Sequence, residues 1–355
     1  MGPFVFEAPA NRVVFAAGAV AQLADEVDRL GAKRALVLVT PGHEADGRRI
    51  CDLLAARACG VVATARVHVP SEIAAGAIAS ARELRADCTI GYGGGSTIGL
   101  GKAIALELGV PQLAVPTTYS GSEMTAVWGT TANGVKRTGR DPRVLPRTVI
   151  YDPQLTLGLP ARVTGASGLN ALAHAAEALY APNASPITTL LGEEAIRALA
   201  AALPRAVRDG GHLAARTDAL YGAYLAGYVL GTTAMGLHHQ VCHALGGAFD
   251  LPHAELHALA LPHVLRFNAS AAPDALAQIA RALGAADAPA HLRALIAELG
   301  LPVSLAELGV PHAGLAAVAA YVARQPYPNP RPIDEASVLR MFESMFTGEL
   351  PERTT

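Results

Sequence analysis

The chain has 355 residues, of which 51% are hydrophobic and only 16% are charged, and its formal net charge is −2. This length is enough for two domains, each with its own hydrophobic core. The charge balance excludes the strongly basic surface with which a protein follows a nucleic-acid backbone.

The start of the chain and its longest uncharged run argue against secretion and membrane insertion. Residues 1–7 lack the basic and long apolar stretches of a signal peptide. The run between Asp218 and His238 approaches the ~20 residues that cross a bilayer, but glycines and threonines interrupt it, which predicts a buried helix.

The cysteines form no CxxC pair, so we expect reduced thiols in a cytoplasmic protein.

The amino-terminal half alternates between short β-branched runs and helical stretches rich in Ala and Leu. Its first element is a predicted hairpin that pairs 4–7 with 12–15. The order βαβα predicts an open, mostly parallel sheet with helices on both sides. The predicted elements are then a helix at 19–30, a strand at 35–40, a helix at 44–59, an extended segment at 61–69, a helix at 73–85, a strand at 88–92, a helix at 97–108, and strands at 112–116 and 148–151.

The carboxyl-terminal half has a different pattern. From Pro160 onward Ala and Leu recur at helical spacing, with Pro and Gly breaks near 182–186, 251–252 and 326–332. We therefore predict an α/β domain over 1–156 and an all-α domain over 157–355.

A glycine-rich turn joins a predicted strand to a predicted helix at Gly93-Gly94-Gly95-Ser96, followed by Thr97. Successive glycines let a backbone approach a ligand without Cβ clashes, and a helix N-terminus favours a pyrophosphate. The motif is neither GxGxxG nor a P-loop. The residues therefore predict a cofactor-binding turn, and a purely structural tight turn is the alternative.

A second polar loop, Pro116–Glu123, follows the next strand. Its hydroxyl groups at Thr117, Thr118, Ser120 and Ser122 are candidate cofactor ligands. Two polar loops at the carboxyl ends of neighbouring strands mark the expected ligand crevice of such a sheet. A Ser/Thr-rich helix cap is the alternative for this loop taken alone.

Histidines concentrate in the helical half, where six of the twelve lie between His238 and His263. The pairs His239/His243 and His253/His257 are each four residues apart, so each pair shares one face of a helix. Imidazoles from separate helices can bind a metal or serve acid–base chemistry.

Asn170 and His174 form a further pair at the same spacing. The alternative for any single histidine is a hydrogen-bonded core residue. We favour that alternative for five of the histidines outside these pairs, which are His43, His68, His212, His291 and His312.

Several long motifs, in order, resemble the iron-containing (group III) alcohol dehydrogenases, and within them the maleylacetate reductase branch. The resemblance implies that residues 1–156 form a Rossmann-like, nucleotide-binding α/β domain and residues 157–355 a helical catalytic domain. It also implies a nicotinamide cofactor bound in a cleft and a homodimer. The motifs are Gly93–Lys102, Pro116–Thr125, Asp141–Pro153, Gly168–His174, and His243–Gly247 with Pro252–Glu255.

The departures from the family pattern bear on the metal. Metal-using members have three histidines, at positions that match His174, His239 and His253, and an Asp where this chain has Asn170. Asn offers a neutral carbonyl oxygen instead of an anion, so we predict no catalytic metal. The residues Gly99, Ala254 and Glu255 also follow the maleylacetate reductase branch.

The resemblance implies reduction of the C=C bond of maleylacetate, a dicarboxylate, to 3-oxoadipate in aromatic-compound degradation. An imidazole would protonate the enolate left by hydride transfer. We predict His243 as the proton donor, His253 as the second candidate, and His174 and His239 as pocket-lining residues. The candidate partners of the two substrate carboxylates, among which the sequence does not choose, are Lys136, Arg137, Arg140 and Arg331.

Cofactor choice and the competing functions stay open at this point. The strand that ends at Thr40-Pro41-Gly42 is followed by no acid to bind a ribose hydroxyl, which leaves NADPH open beside the favoured NADH. One alternative is a metal-dependent alcohol dehydrogenase or aldehyde reductase. Another is a nucleotide-binding protein without catalysis.

Overall fold

The computed structural model describes residues 4–132 and 135–352, and its contacts divide the chain into two compact units. The sheet unit is Ala8–Leu159, and the helical unit combines the amino-terminal segment with the chain from Pro160 onward. The division therefore falls after residue 159, whereas the sequence suggested residue 156. Asp152 explains the difference, because its carboxylate accepts from Gly18 N at 2.9 Å and so holds the segment after the last strand against the sheet unit.

In the described residues of the sheet unit there are eight strands and four α-helices. The strands are β1 (Arg12–Phe15), β2 (Ala35–Leu38), β3 (Ala58–Val62), β4 (Cys88–Gly93), β5 (Gln112–Pro116), β6 (Val127–Ala132), β7 (Val135–Arg140) and β8 (Thr148–Tyr151). The helices are α1 (Leu23–Arg29), α2 (Glu44–Leu54), α3 (Ser71–Glu83) and α4 (Gly95–Leu108). Six strands form a parallel sheet in the order β1-β8-β5-β4-β2-β3, and β6 pairs with β7 as an antiparallel hairpin.

Strand β2 shows why the sheet has helices on both sides. All four of its residues are buried, and successive side chains point to opposite faces. Val37 packs in one core with residues of α1 and α2, whereas Leu36 and Leu38 pack in another with residues of α3 and α4. A strand buried on both faces needs no polar alternation, and this explains its continuous apolar sequence.

The first predicted hairpin is wrong. Residues 4–7 form no strand, and β1 instead pairs in parallel with β8, where Val13 lies opposite Val149. The amino-terminal segment belongs to the helical unit, where the ring of Phe6 lies 6.4 Å from that of Tyr228. The sequence also missed the β6–β7 hairpin, which separates β5 from β8.

Nine α-helices form the helical unit in its described residues. They are α5 (Ala161–Ala178), α6 (Pro186–Arg208), α7 (Leu213–Thr232), α8 (Leu237–Phe249), α9 (His253–Asn268), α10 (Pro273–Leu283), α11 (Ala288–Glu298), α12 (Leu315–Arg324) and α13 (Glu335–Thr347). Helix α5 is central, because every residue from Thr164 to Ala178 is buried. Glycine permits this packing at Gly168, where an added Cβ would lie 2.2 Å from a methyl group of Leu203.

The predicted fold class is confirmed: a parallel α/β sheet unit is followed by a helical unit. Among residues 4–132 and 135–352, no helix combines the length and the apolar character that crossing a membrane requires. The four cysteines are free thiols, as predicted.

Candidate active site

The glycine turn connects the end of β4 to the start of α4. Gly93 adopts φ +141°, a backbone conformation that glycine tolerates best, and α4 begins at Gly95. Thr97 is fully buried, and its hydroxyl donates to the carbonyl oxygen of Gly94 at 2.9 Å. The side chain of Thr97 therefore shapes the turn, while the N–H groups of Gly95 and Ser96 precede the first intrahelical bonds and suit an anion.

The second polar loop lies directly against the glycine turn. Thr117 N donates to Gly93 O at 3.0 Å. A Cβ added to Gly94 would lie 2.9 Å from Thr118 Oγ1, and one added to Gly95 would lie 3.8 Å from the side chain of Ser120. The structure thus brings the two predicted cofactor loops together into one polar surface.

One buried lysine, which the sequence reasoning missed, holds the second loop in place. Lys102 on α4 is 1% exposed, and its ammonium donates to the carbonyl oxygens of Ser122, Thr125 and Val127 at 2.7, 2.9 and 2.8 Å and to Thr125 Oγ1 at 2.9 Å. Burial lowers the pKa of Lys102 to about 7. Ser122 therefore contributes its carbonyl group to the anchoring of the loop.

In the helical unit, six imidazoles from α5, α8 and α9 form one histidine cluster. The ring centroids of His174 and His239 are 5.2 Å apart, those of His239 and His243 are 6.1 Å apart, and those of His243 and His253 are 6.3 Å apart. The four histidines predicted from the sequence are therefore neighbours. The cluster consists of His174, His238, His239, His243, His253 and His257.

Exposure changes across the cluster. His174, His238 and His257 are buried, His239 is half-buried, and His243 and His253 are exposed. Burial lowers the pKa of His238 to about 3 and lowers the pKa of His174 and His257 well below the usual range, so these rings are neutral at pH 7. The exposed end of the cluster is the end that exchanges protons with water.

A buried carboxylate that the sequence reasoning missed orients the cluster. Glu177 is 1% exposed, and its two oxygens accept from His239 Nδ1 and, at 2.8 Å, from His238 N. Burial disfavours the charge of Glu177, but the contacts with His239 and His238 outweigh burial and lower the pKa of this carboxyl. The signal was present in the sequence, because Asn170, His174 and Glu177 recur at helical spacing on one face of α5.

His257 was also given no role from the sequence, although it completes the cluster. Its Nδ1 lies 3.0 Å from His238 Nε2, and its Nε2 is buried without a hydrogen-bond partner. His174 Nδ1 and Asn170 Oδ1 are likewise buried and unpartnered. Unsatisfied buried polar atoms are costly, and His174 and His257 converge with His239, which indicates a functional group rather than ordinary core packing.

The cations proposed as carboxylate partners have different surroundings. Arg331 donates to Phe267 O at 2.9 Å, and its guanidinium lies 4.3 Å from the centre of the Phe267 ring, near the carboxyl end of α9 and far along that helix from His253. Arg137 and Arg140 are exposed on β7 in the sheet unit. The side chain of Lys136 lies outside the described part of the chain.

Comparison with known proteins identifies the family. The family model for iron-containing alcohol dehydrogenases matches residues 10–153, and the model for the C-terminal part of the same family matches residues 164–346. The chain belongs to the iron-containing alcohol dehydrogenase family. It is therefore an oxidoreductase of an NAD(P)-dependent family, and the resemblance drawn from its motifs is confirmed.

Relatives within the family cover the whole chain. A maleylacetate reductase from Burkholderia cepacia is 55% identical over 351 residues, which are 99% of this chain and 100% of that protein. The crystal structure of maleylacetate reductase from Agrobacterium tumefaciens superposes with a TM-score of 0.96 at 47% identity, covering 99% of this chain and 100% of that one. The corresponding enzyme from a Rhizobium species gives a TM-score of 0.95 at 46% identity, with 99% and 100% coverage.

The clustered side chains of this chain are a poor ligand set for the iron ion that gives the family its name. Nitrogen atoms of His174, His239 and His257 lie within 4.8 Å of one another, so the three imidazoles that converge include His257 and not His253, which the family pattern implied. Asn170, however, supplies an amide oxygen where an anionic ligand would stand, and the carboxylate of Glu177 is bonded to His239 and to the backbone N–H of His238. An iron(II) ion in a buried site prefers a carboxylate beside its imidazoles.

Two further departures from the metal-using pattern have structural reasons. At Gly99 an added Cβ would lie 2.8 Å from a methyl group of Val69, so α4 packs closely there. Glu255 accepts two hydrogen bonds from Arg162 at 2.6 and 2.7 Å, which ties the start of α9 to the start of α5. These two helices supply three of the six clustered histidines.

Proposed function

We propose that this chain reduces the C=C bond of maleylacetate to 3-oxoadipate, with hydride from a reduced nicotinamide cofactor. The observation that supports it most is the histidine cluster, in which three imidazoles converge while the neutral Asn170 stands where the metal-using pattern has an Asp. Relatives named maleylacetate reductase, at 55% identity over the full length, support the same assignment.

The substrate chemistry suits imidazoles without a metal ion. Maleylacetate has a C=C bond conjugated to a ketone. Hydride from the cofactor adds to the alkene carbon β to that ketone, and the electron pair of the C=C bond moves to the ketone oxygen as an enolate. A proton then joins the α carbon, and the oxidised cofactor leaves. The site must stabilise the enolate and supply one proton.

We assign the proton donation to His243, with His253 as the second candidate. Both are exposed, so each can be reprotonated from water after a turnover. His239 lies between His243 and the buried rings, and its Nδ1 is bonded to Glu177. We propose that His174 and His239 line the substrate pocket and donate hydrogen bonds to the enolate.

We propose NADH as the cofactor, with its pyrophosphate at the glycine turn. The N–H groups of Gly95 and Ser96, together with Thr118 and Ser120 of the adjoining loop, offer the donors that a pyrophosphate needs. Gly93, Gly94, Thr97, Thr117 and Ser122 would shape this surface. We further propose a homodimer that acts in the cytoplasm on this dicarboxylate.

A metal-dependent alcohol or aldehyde reductase is the second candidate function. The observation that favours it is the convergence of His174, His239 and His257, because three imidazoles form a recognised zinc-binding set. An alcohol dehydrogenase develops an alkoxide, which a Lewis acid stabilises more effectively than an imidazole does. This candidate predicts stoichiometric metal and activity on alcohols.

The test measures the decrease of NADH absorbance after purified protein is mixed with NADH and maleylacetate. Turnover that exceeds the rates with simple ketones and aldehydes supports the proposal. Tight NADH binding without turnover on any of these substrates would contradict it and would favour a nucleotide-binding protein without catalysis. Faster turnover on aldehydes or alcohols would favour the second candidate.

A further inference from the structure

A cavity lies in the helical unit between the carboxyl end of α9, the helix α10 and the start of α11. Its volume is about 500 Å³, within the roughly 300–1,000 Å³ that small-molecule sites occupy. His253 of the histidine cluster begins α9, whereas Arg266 on the cavity wall lies in the last turn of that helix. A helix of 16 residues is about 24 Å long, so the cavity is separate from the histidine cluster.

The lining of this cavity carries more positive than negative charge. Its described residues include three arginines, which are Arg266, Arg281 and Arg331, and one acid, Asp287. Arg266 pairs with Asp287 at 2.7 Å, and Arg281 pairs at 2.7 Å with Glu193, which is not a lining residue. Carboxylates therefore balance the charges of Arg266 and Arg281 but not that of Arg331.

Arg331 is held in place without an acidic partner. Its Nη1 donates to Phe267 O at 2.9 Å, its guanidinium lies 4.3 Å from the centre of the Phe267 ring, and its backbone oxygen accepts from Asn329 Nδ2 at 2.8 Å. Within residues 4–132 and 135–352 no carboxylate forms an ion pair with it. A guanidinium that the fold already orients loses little conformational entropy when it binds an anion.

Two further features of the cavity wall favour a negatively charged ligand. The side chain of Arg266 is only 10% exposed, and its Nε is buried without a hydrogen-bond partner. Helix α10 begins at the lining residue Pro273 and has no side-chain cap. The unpaired N–H groups of a helix start create a positive potential, which adds to that of the arginines.

The rest of the lining is mainly apolar. It includes Leu276, Ala277 and Ala280 on α10 and Pro289 on α11, with Ser270 as an additional hydroxyl group. The small side chains of the alanines leave the space open. Apolar walls around a few polar groups are typical of sites for organic molecules, so the cavity suits an organic anion better than a bare inorganic ion.

We propose that this cavity binds a small organic anion, with a carboxylate or phosphate group at Arg331 and an apolar body against α10. A guanidinium binds either group through two parallel hydrogen bonds, which is the chemistry that the two share. The inference does not depend on the proposed function. It gives Arg331, a candidate partner of the substrate carboxylates from the sequence, a different anion far from the imidazoles.

Titration calorimetry on the purified full chain tests the proposal with three probes. Benzoate and phenyl phosphate each combine an anionic group with an apolar ring, and benzamide is the neutral analogue of benzoate. We expect the wild type to bind at least one of the two anions, and benzamide at least about tenfold more weakly than benzoate where benzoate binds. The tighter of the two anions identifies the group that the site prefers.

Two variants locate the binding site. Arg331→Gln removes the charge, and we expect it to raise the Kd of the bound anion by roughly 10- to 100-fold, the range of a lost charged hydrogen bond. Ala277→Phe fills the cavity while all three arginines remain, and should raise the Kd by at least about tenfold. The matched controls are Arg340→Gln on α13 and Ala317→Phe on α12, at exposed residues outside the lining, and neither should change the Kd.

Circular dichroism checks that each variant keeps its helical content, and Ala277→Phe decides the test if Arg331→Gln does not fold. Anion binding that is lost in the folded cavity variants and kept in both controls supports the proposal. Binding that persists in the cavity variants would place the anion elsewhere, for example at the histidine cluster, and would overturn it. So would equal affinity for benzamide and benzoate, or no binding of either anion at millimolar concentration.

Discussion

The candidate functional surface of the sheet unit is built mainly from backbone atoms, whereas that of the helical unit is built from side chains. In the sheet unit the surface is mainly backbone: a glycine turn, the start of α4 and a loop held by Lys102. In the helical unit it consists of side chains, because six imidazoles and one carboxylate from three helices meet there. A backbone surface depends on local conformation, whereas a side-chain cluster depends on residues far apart in sequence.

This difference predicts how each unit responds to mutation. In the sheet unit the sensitive residues should be those that fix the backbone conformation, such as Lys102. In the helical unit single side chains should affect catalysis while the fold persists. Each substitution below tests one side of this contrast.

The largest effect is expected at Lys102, on the stability of the protein. The change Lys102→Met removes the ammonium donor from three carbonyl oxygens and one hydroxyl, of which the Ser122 carbonyl still accepts from Thr125 N and Oγ1. We expect a loss of about 3–5 kcal/mol in unfolding free energy, measured by urea denaturation, since removing one partner of a buried polar network leaves the others unsatisfied. Lys33→Met, at an exposed lysine, is the control. A loss below about 1 kcal/mol would show that the loop does not depend on Lys102.

The next largest effect is expected at His243. The change His243→Ala should lower kcat by roughly 100-fold or more if this imidazole donates the proton. The unfolding free energy of the variant should be close to that of the wild type, because the imidazole ring of His243 is exposed. His291→Ala, at an exposed histidine on α11, should leave kcat unchanged. A decrease of less than about tenfold would remove His243 from the role of proton donor and favour His253.

A smaller effect is expected at Glu177, which acts through His239. Glu177→Gln keeps the shape of the side chain but removes the charge that the His239 Nδ1–H faces. We expect kcat to fall roughly 10- to 100-fold with little change in KM for NADH, as for other carboxylates that orient a functional imidazole. Glu194→Gln, at a surface ion pair on α6, is the matched control. A change confined to stability would indicate a structural role alone.

The smallest effect is expected from Asn170→Asp, and it is an effect on metal binding. This substitution restores the carboxylate of the metal-using pattern. Metal analysis after purification with iron or zinc should show greater uptake than in the wild type, because a carboxylate joins the converging nitrogens of His174, His239 and His257. Absence of uptake would mean that these imidazoles do not act as a ligand set.

The contrast between the units also explains what the sequence could predict. The glycine turn and the strand ends depend on contiguous residues such as Gly93-Gly94-Gly95, so their place at one edge of the sheet followed from strand order. The histidines on α8 and α9 were visible through their spacing of four. Glu177 was missed because its partner His239 is sixty-two residues away in sequence. Lys102 was missed because most of its acceptors are backbone carbonyl oxygens, and a contact with the backbone leaves no pattern of residue types in the sequence.

The failed hairpin has a similar cause. Residues 4–7 have strand-like composition, yet Phe6 packs near Tyr228 in the helical unit, and β1 pairs with β8, over one hundred residues away. Tertiary pairing overrode the local preference. The β6–β7 hairpin was missed because the sequence analysis assigned no element between the second polar loop and the strand at 148–151.

The central claim is that these imidazoles handle protons instead of holding an ion, and one measurement tests it most directly. The rate of maleylacetate-dependent NADH oxidation is measured before and after exhaustive chelation, with the metal content determined in the same samples. We predict that the rate is unchanged while iron and zinc remain far below one ion per chain. Loss of activity on chelation, with recovery on adding back one equivalent of iron or zinc, would contradict the claim.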